Sequence, residues 1–157
     1  MLAVACTLTT PAQAGLEGRE RKAFLDAIRP LAAQQVGQAV KFKVDRLNVS
    51  GDWALLTGEL VAPSGGPLDW RKARGCEPEL DKMLWVIAQR APSGWRVEQM
   101  WVCAPEPPHW SLDPEVDHAR PCDLYQGLWI TRELSVEADC RARRAPSPAT
   151  PPVPPRP

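Results

Sequence analysis

The most regular alternation of apolar and polar side chains predicts two β-strands joined by a tight turn at residues 50–52, where Ser, Gly and Asp follow one another. We pair Val49 with Trp53 across this turn. The same register pairs Leu47 with Leu55, so that four apolar side chains share one face of the hairpin.

The apolar face switches toward the far end of this hairpin, which covers residues 40–61. There Phe42 would lie opposite Leu60, and Val44 opposite Gly58. The switch predicts a β-bulge near residues 45–46, or a strand that is covered on both faces.

Residues 17–36 have a helical period, with Phe24, Ile28 and Leu31 at positions i, i+4 and i+7 of one apolar face. Pro30 is expected to break or kink this helix, or to open a second short one. Gly37 is expected to end it, because Gly tolerates the left-handed conformation of a helix C-terminus.

A second hairpin follows the first. Residues 82–90 are almost continuously apolar, residues 91–94 form a turn, and residues 95–102 return with partial alternation. One helix followed by two hairpins predicts an α+β fold, in which the N-terminal helix packs on an antiparallel sheet of two hairpins.

Proline and charge dominate the C-terminal part of the chain. Residues 104–128 predict an irregular segment tied down by cysteines, with a last short strand at residues 128–130 and a short helix at residues 133–144. We assign residues 15–144 to a single domain. The tail at residues 145–157 contains seven prolines and is predicted to be disordered. Its Pro-Pro-Val-Pro-Pro-Arg stretch matches the Pro-x-x-Pro-x-Arg pattern of ligands for aromatic grooves, a match that proline-rich tails also produce by chance.

The first residues of the chain predict export. Residues 2–8 are apolar, and Ala12-Gln13-Ala14 forms an A-x-A cleavage site, so we predict a signal peptide at residues 1–14. No Lys or Arg precedes Arg19, and a start codon assigned too far downstream would explain that gap. The apolar stretch is shorter than the roughly 20 residues that span a bilayer. The expected location is therefore periplasmic or secreted.

Cleavage after Ala14 would leave four cysteines, and an even count in a small exported chain favours two disulfides. Three connectivities are possible. A turn centred on residues 92–93 would bring Cys103 to the end of the hairpin that lies near Cys76. This geometry favours Cys76–Cys103 together with Cys122–Cys140, although the competing pairings remain open.

The charge balance and the histidine spacing exclude several kinds of partner and cofactor. Lys and Arg together number 19, as do Asp and Glu, so net charge attracts neither nucleic acid nor an anionic membrane. There is no C-x-x-C pair, and the spacing of His109 and His118 is not that of a helical metal site. No metal or cofactor is predicted, and both histidines are interpreted as surface side chains in a solvated loop.

The connection at residues 62–81 is the candidate binding loop. Its three prolines and three glycines argue against regular structure, and connections of this length in small domains are often functional. Trp70 lies between Asp69 and Arg71, and these three residues form the candidate binding site, since aromatic and Arg side chains are enriched at interfaces. Trp70 either contacts a partner or folds back as a plug over the core, and we favour the plug.

Five short segments resemble a group of small exported proteobacterial proteins that have no established activity: residues 21–30, 40–42, 49–54, 68–70 and 94–97. The resemblance covers about residues 20–102, and the C-terminal part with its cysteines departs from the pattern. It implies export and a small α+β fold, and it implies no reaction.

Two classes of function are compatible with these observations. The favoured one is an exported, non-enzymatic binding module that presents residues 62–81 to an unknown protein or envelope ligand. The alternative is a small enzyme of the helix-plus-curved-sheet kind, with Asp113 and His118 in a pocket. The strands offer mainly apolar side chains for such a pocket, which favours the first class.

Overall fold

The computed structural model describes residues 16–145. The predicted signal peptide and, apart from Ala145, the predicted tail lie outside the described residues. Helix α1 (Gly18–Val36) precedes a sheet of four antiparallel strands that lie side by side in chain order. The strands are β1 (Lys41–Ser50), β2 (Trp53–Val61), β3 (Met83–Ala91) and β4 (Gly94–Ala104). The predicted α+β fold of one helix and two hairpins is confirmed.

Helix α1 packs one face on the sheet, and the buried positions recur every four residues: Phe24, Ile28, Ala32 and Val36. The assignment of Leu31 to this face is wrong, because the stripe advances in steps of four and leaves Leu31 exposed. The helix also continues through Pro30, so the prediction of a break or of a second short helix is wrong. Pro30 is exposed, so water can reach the backbone carbonyl that loses its partner. Gly37 ends the helix as predicted, with a φ of 65°.

The turn of the first hairpin is one residue shorter than predicted. Ser50 pairs with Trp53, so only two residues form the turn. The first of them, Gly51, has a φ of 57°, and a type II′ turn needs a positive φ at this position. Val49 consequently pairs with Ala54, and the predicted pairing with Trp53 is wrong.

This shift by one residue separates side chains that were expected to share a face. Leu47 pairs with Leu56 and not with Leu55. Leu47 and Val49 pack toward α1, whereas Trp53 and Leu55 pack on the opposite side of the sheet. Because β2 is buried on both faces, its apolar pattern did not distinguish the two registers.

The predicted β-bulge is confirmed. Phe42 pairs with Leu60 and Val44 with Gly58, and Asp45 is the extra residue at which the register shifts. The bulge returns the apolar side chains of both halves of β1 to the α1 side of the sheet. A Cβ atom added to Gly58 would overlap the backbone carbonyl oxygen of Lys43, so the close approach of the strands at the bulge requires Gly.

Both faces of the sheet are covered, which explains the continuous apolar run in β3. Leu84 and Val86 face α1 and belong to the first buried cluster. Trp85 and Ile87 face the other way and belong to a second cluster, completed by the C-terminal segment through Leu124, Tyr125, Leu128 and Val136. The C-terminal segment is therefore a second covering layer of the sheet.

That layer contains more regular structure than predicted. It includes helix α2 (Pro114–Asp117), helix α3 (Val136–Arg144) and 3-10 turns at Pro108–Ser111 and Cys122–Tyr125. The strand predicted at residues 128–130 is reduced to a single bridge between Trp129 and Ser135. Helix α3 begins at Val136, later than predicted, because the Ser135 hydroxyl accepts a hydrogen bond from the Ala138 N–H and caps the helix.

Two disulfides stabilise this arrangement, and they have the connectivity that the hairpin geometry favoured. Cys76 is bonded to Cys103 with a Cα–Cα distance of 5.9 Å, and Cys122 to Cys140 with a distance of 5.6 Å. Disulfides persist in oxidising environments, so the pair indicates an extracellular or periplasmic setting. Among residues 16–145, the helices are too short or too polar to cross a membrane.

Candidate functional site

The binding loop predicted at residues 62–81 is anchored to the domain at several points. Leu68 is buried in the cluster beneath α1. The Gln38 side chain donates to the Asp69 carbonyl oxygen at 2.8 Å and accepts from the Asp69 N–H at 3.3 Å. Farther along, the Cys76–Cys103 disulfide joins the loop to β4. These contacts fix the loop although it contains almost no regular structure.

Trp70 folds back onto the domain. It is half-buried and packs against the α1-side cluster, which agrees with the interpretation as a plug. The Lys82 ammonium lies 5.6 Å from the centroid of its ring, within the range of a cation–π contact. Trp70 therefore fixes the path of the loop and exposes only part of its indole.

Asp69 and Arg71 form a bidentate ion pair beside Trp70. Arg71 donates from Nε to Oδ1 of Asp69 at 2.8 Å and from Nη2 to Oδ2 at 3.2 Å. The hydrogen bonds from Arg71 lower the pKa of the Asp69 carboxyl and raise that of the guanidinium. The Arg71 side chain is nevertheless 81% exposed, so its charge is both oriented and accessible. The structure thus brings all three predicted binding residues together.

The loop carries exposed positive and negative charges in separate stretches. Arg71, Lys72 and Arg74 are exposed within residues 71–74, and Glu77, Glu79 and Asp81 are exposed within residues 77–81. The basic stretch borders an open cleft of about 660 Å³ at the end of α1. The Arg74 N–H donates to the Gln35 carbonyl oxygen at 3.4 Å and holds this edge against the helix. One side of the loop therefore presents a fixed basic edge.

A second candidate site lies on the opposite face of the sheet, and the sequence analysis did not find it. It is a cleft of about 150 Å³ whose lining includes Asp45, Thr57, Trp85 and His109. The bulge supplies Asp45, strands β2 and β3 supply Thr57 and Trp85, and the C-terminal layer supplies His109. The predicted bulge at Asp45 was the only sequence signal for this cleft. The hydrophobic pattern of the C-terminal segment does not show which face of the sheet the segment covers.

His109 closes one side of the cleft and is not the solvated surface side chain that was predicted. It is half-buried, and its ring centroid lies 6.3 Å from that of Trp85. Burial lowers its pKa, so the ring is neutral near pH 7. Its Nε2 lies 3.2 Å from the Trp129 carbonyl oxygen, which can only accept. The neutral ring therefore donates from Nε2 and retains a lone pair on Nδ1.

Asp113 and His118, the residues of the enzymatic alternative, have separate structural contacts. The Asp113 carboxylate is exposed and accepts from the Glu115 N–H at 2.8 Å, which caps α2. His118 is only 7% exposed, so its prediction as a surface side chain is wrong. Its Nε2 lies 3.9 Å from the Asp139 carboxylate, and its buried Nδ1 has no hydrogen-bond partner among the described residues. No hydrogen bond joins Asp113 to His118.

Within residues 16–145, no group of three or more His, Cys, Asp or Glu side chains is arranged to hold a metal ion. Comparisons with protein families, curated proteins and solved structures found no match to this chain. The resemblance to small exported proteobacterial proteins therefore stays a prediction.

Proposed function

We propose that the protein is an exported binding module without catalytic activity, which presents residues 62–81 to a partner in the periplasm or outside the cell. Asp69, Trp70 and Arg71 form the centre of the contact. The observation that carries this proposal is the exposed Arg71 guanidinium, which Asp69 holds in a bidentate pair on an anchored loop.

The anchoring of the loop favours binding on entropic grounds. A free loop of this length would lose conformational freedom when a partner ordered it, at about 0.5–1.5 kcal/mol for each immobilised long side chain. Gln38, the half-buried Trp70 and the Cys76–Cys103 disulfide already fix this loop. Binding of a partner to this loop therefore loses less free energy to the ordering of side chains, and the affinity is higher for the same contacts.

The exposed charges favour a partner with an acidic surface. The chain has no net charge, so any electrostatic attraction must come from a local patch such as Arg71, Lys72 and Arg74. Such rim charges act mainly on the association rate and weaken as salt rises. Binding through this edge should therefore depend strongly on ionic strength.

The enzymatic alternative with Asp113 and His118 has less support. Asp113 caps a helix at the surface, while His118 is buried against α3. General acid–base chemistry requires both groups within reach of one substrate. A binding role needs no such pocket.

Site-specific photo-cross-linking in the source cells tests the proposal. A photoreactive amino acid in place of Lys72 should give a discrete adduct with one partner, whereas one in place of the exposed Arg132 should not. Adding Arg71→Glu to the Lys72 variant should abolish the adduct, and adding Arg143→Glu should leave it unchanged. Identical adducts from positions 72 and 132, or none from position 72, would contradict the proposal.

A further inference from the structure

The cleft beside His109 is bordered by a continuous row of aromatic side chains. Ring centroids lie 6.5 Å apart between Trp101 and Trp85, 6.3 Å between Trp85 and His109, and 6.4 Å between His109 and Trp110. Trp129 lies beside this row, because its backbone carbonyl oxygen is 3.2 Å from Nε2 of His109. We call these five residues the aromatic face.

Much of the aromatic face is open to solvent. Trp110 is 55% exposed, Trp129 54% and Trp101 39%. Single exposed apolar side chains are ordinary, but a contiguous group of indoles marks an interaction site. Trp85 is fully buried at the centre of the row, so a ligand that stacks on indole rings would contact the outer, exposed tryptophans.

The size of the cleft restricts what can enter it. Its volume of about 150 Å³ is below the roughly 300–1,000 Å³ of pockets for drug-sized ligands. It admits one small apolar ring and excludes a larger compact ligand. A proline ring meets this limit, and polyproline II segments bind to grooves lined with aromatic side chains.

We infer that residues 146–157 of the same chain bind to the aromatic face as a polyproline II segment, with one proline ring in the cleft. Seven of these twelve residues are proline. Their pre-set backbone loses little conformational entropy on docking. The inference gives residues 146–157, which the sequence predicts to be disordered, a role as an intramolecular ligand.

The chain is long enough for this contact. Helix α3 begins beside the aromatic face, since Ser135 caps the helix and pairs with Trp129. Its 9 residues carry the chain about 14 Å away at a rise of 1.5 Å per residue. Arg144 is held there by a hydrogen bond of 2.8 Å to the His118 carbonyl oxygen. Twelve residues of polyproline II span about 37 Å, which is more than the return requires.

Charge sets the expected orientation. Arg156 is the only charged side chain in residues 146–157, and it follows the Pro-x-x-Pro pattern. Asp45 lines the cleft and is exposed. The pairing of Arg156 with Asp45 would place Pro154 or Pro155 at the cleft, with the earlier prolines over the outer tryptophans.

Photo-cross-linking in the full-length protein tests the inference. A photoreactive amino acid in place of Val153 should give intramolecular cross-links to peptides that contain Trp110 or Trp129. The double variant Trp110→Ala/Trp129→Ala should lower the yield at least fivefold. Leu80→Ala, which removes an exposed apolar side chain from the 62–81 loop, should leave the yield unchanged.

A charge exchange distinguishes the proposed pose from loose contact. Asp45→Arg and Arg156→Asp should each lower the cross-link yield severalfold, and the double variant should restore it. Circular dichroism of each variant shows whether the fold is retained. Cross-links elsewhere on the domain, yields that the tryptophan variants do not change, or the absence of rescue would overturn the inference. Cross-links that form only between chains would also overturn it and would assign the face to a second copy.

Discussion

Asn48 joins parts of the chain that are far apart in sequence. Its amide Nδ2 donates to the carbonyl oxygens of Leu124 at 2.9 Å and Gln126 at 2.8 Å. The strand pattern alone places Asn48 on a polar face, where replacement would have almost no effect. The C-terminal layer covers that face, so the Asn48 amide forms hydrogen bonds that connect β1 to the layer.

We expect Asn48→Ala to lower the free energy of unfolding by about 1–3 kcal/mol, because two hydrogen bonds of about 0.5–1.5 kcal/mol each are lost. Chemical denaturation monitored by tryptophan fluorescence measures this change. Lys41→Ala, at an exposed position of the same strand, should change the free energy by less than about 0.5 kcal/mol. Equal effects of the two replacements would show that the Asn48 hydrogen bonds contribute nothing to the free energy of unfolding.

Tyr125 is the single tyrosine of the chain and is fully buried where the C-terminal layer packs on the sheet. Its hydroxyl donates to the Asp117 carbonyl oxygen at 2.8 Å. Burial raises the pKa of this phenol from 10.0 to about 12. The folded state therefore favours the neutral phenol, and ionisation opposes folding.

The resulting pH dependence has a definite sign. Since the folded pKa lies above the unfolded one, the contribution of Tyr125 is complete below about pH 10 and is lost as the pH rises toward about 12. The loss should reach about 2–3 kcal/mol, as one pKa unit corresponds to about 1.4 kcal/mol. Ultraviolet titration of the phenolate and denaturation at several pH values measure it. Tyr125→Phe should remove this part of the slope, and an ordinary phenol titration near pH 10 in the folded protein would contradict the assignment.

At the scale of the elements, the two disulfides differ in how deeply they are buried. Cys140 and Cys122 are buried between α3 and the 3-10 turn, whereas Cys76 and Cys103 are half-buried at the edge of β4. The sequence separations are 27 and 18 residues, so loop-closure entropy gives both bonds a similar stabilisation of about 3–4 kcal/mol. Burial, not loop length, distinguishes the two bonds.

We expect mild reduction of the folded protein to open Cys76–Cys103 first, because thiol exchange requires access to a sulfur atom. Alkylation followed by peptide mapping should label Cys76 and Cys103 before the other pair. Labelling of Cys122 and Cys140 should begin only under conditions that also expose Tyr125. Simultaneous labelling of all four cysteines would contradict this order.

At the scale of the molecule, the sheet separates two layers, and each layer supports a different proposed binding surface. The α1 layer supports the 62–81 loop through Gln38 and Leu68. The C-terminal layer builds the His109 cleft and the aromatic face on the other side. The two proposed binding surfaces are therefore on opposite faces of the sheet, and changes at one can serve as controls for the other.

Export is the prediction that concerns the whole chain. The apolar residues 2–8 and the Ala12-Gln13-Ala14 site predict cleavage after Ala14, and the disulfides indicate an oxidising compartment. N-terminal sequencing of protein recovered from the cell envelope or the medium should begin at Gly15. Intact Met1 in the cytosolic fraction, with all five cysteines as free thiols, would contradict export.

The sequence by itself determined the local elements. Gly37 ends α1, Asp45 lies at the bulge, and both hairpins appear where alternation and turn residues place them. These features depend on neighbouring residues or on a single strand pair, so local chemistry specifies them. The binding triad of Asp69, Trp70 and Arg71 could be proposed for the same reason, because it lies within one short stretch.

Only the tertiary structure decided the register of the first hairpin, the burial of both histidines and the position of the cleft. The register was ambiguous because β2 is apolar on both faces, so hydrophobic pattern cannot choose between pairings that differ by one residue. His109, His118 and Asn48 acquire their roles from the C-terminal layer, whose proline-rich sequence has no period that reveals what it covers. Contacts between residues distant in the chain depend on how the layers pack, and no local pattern records that packing.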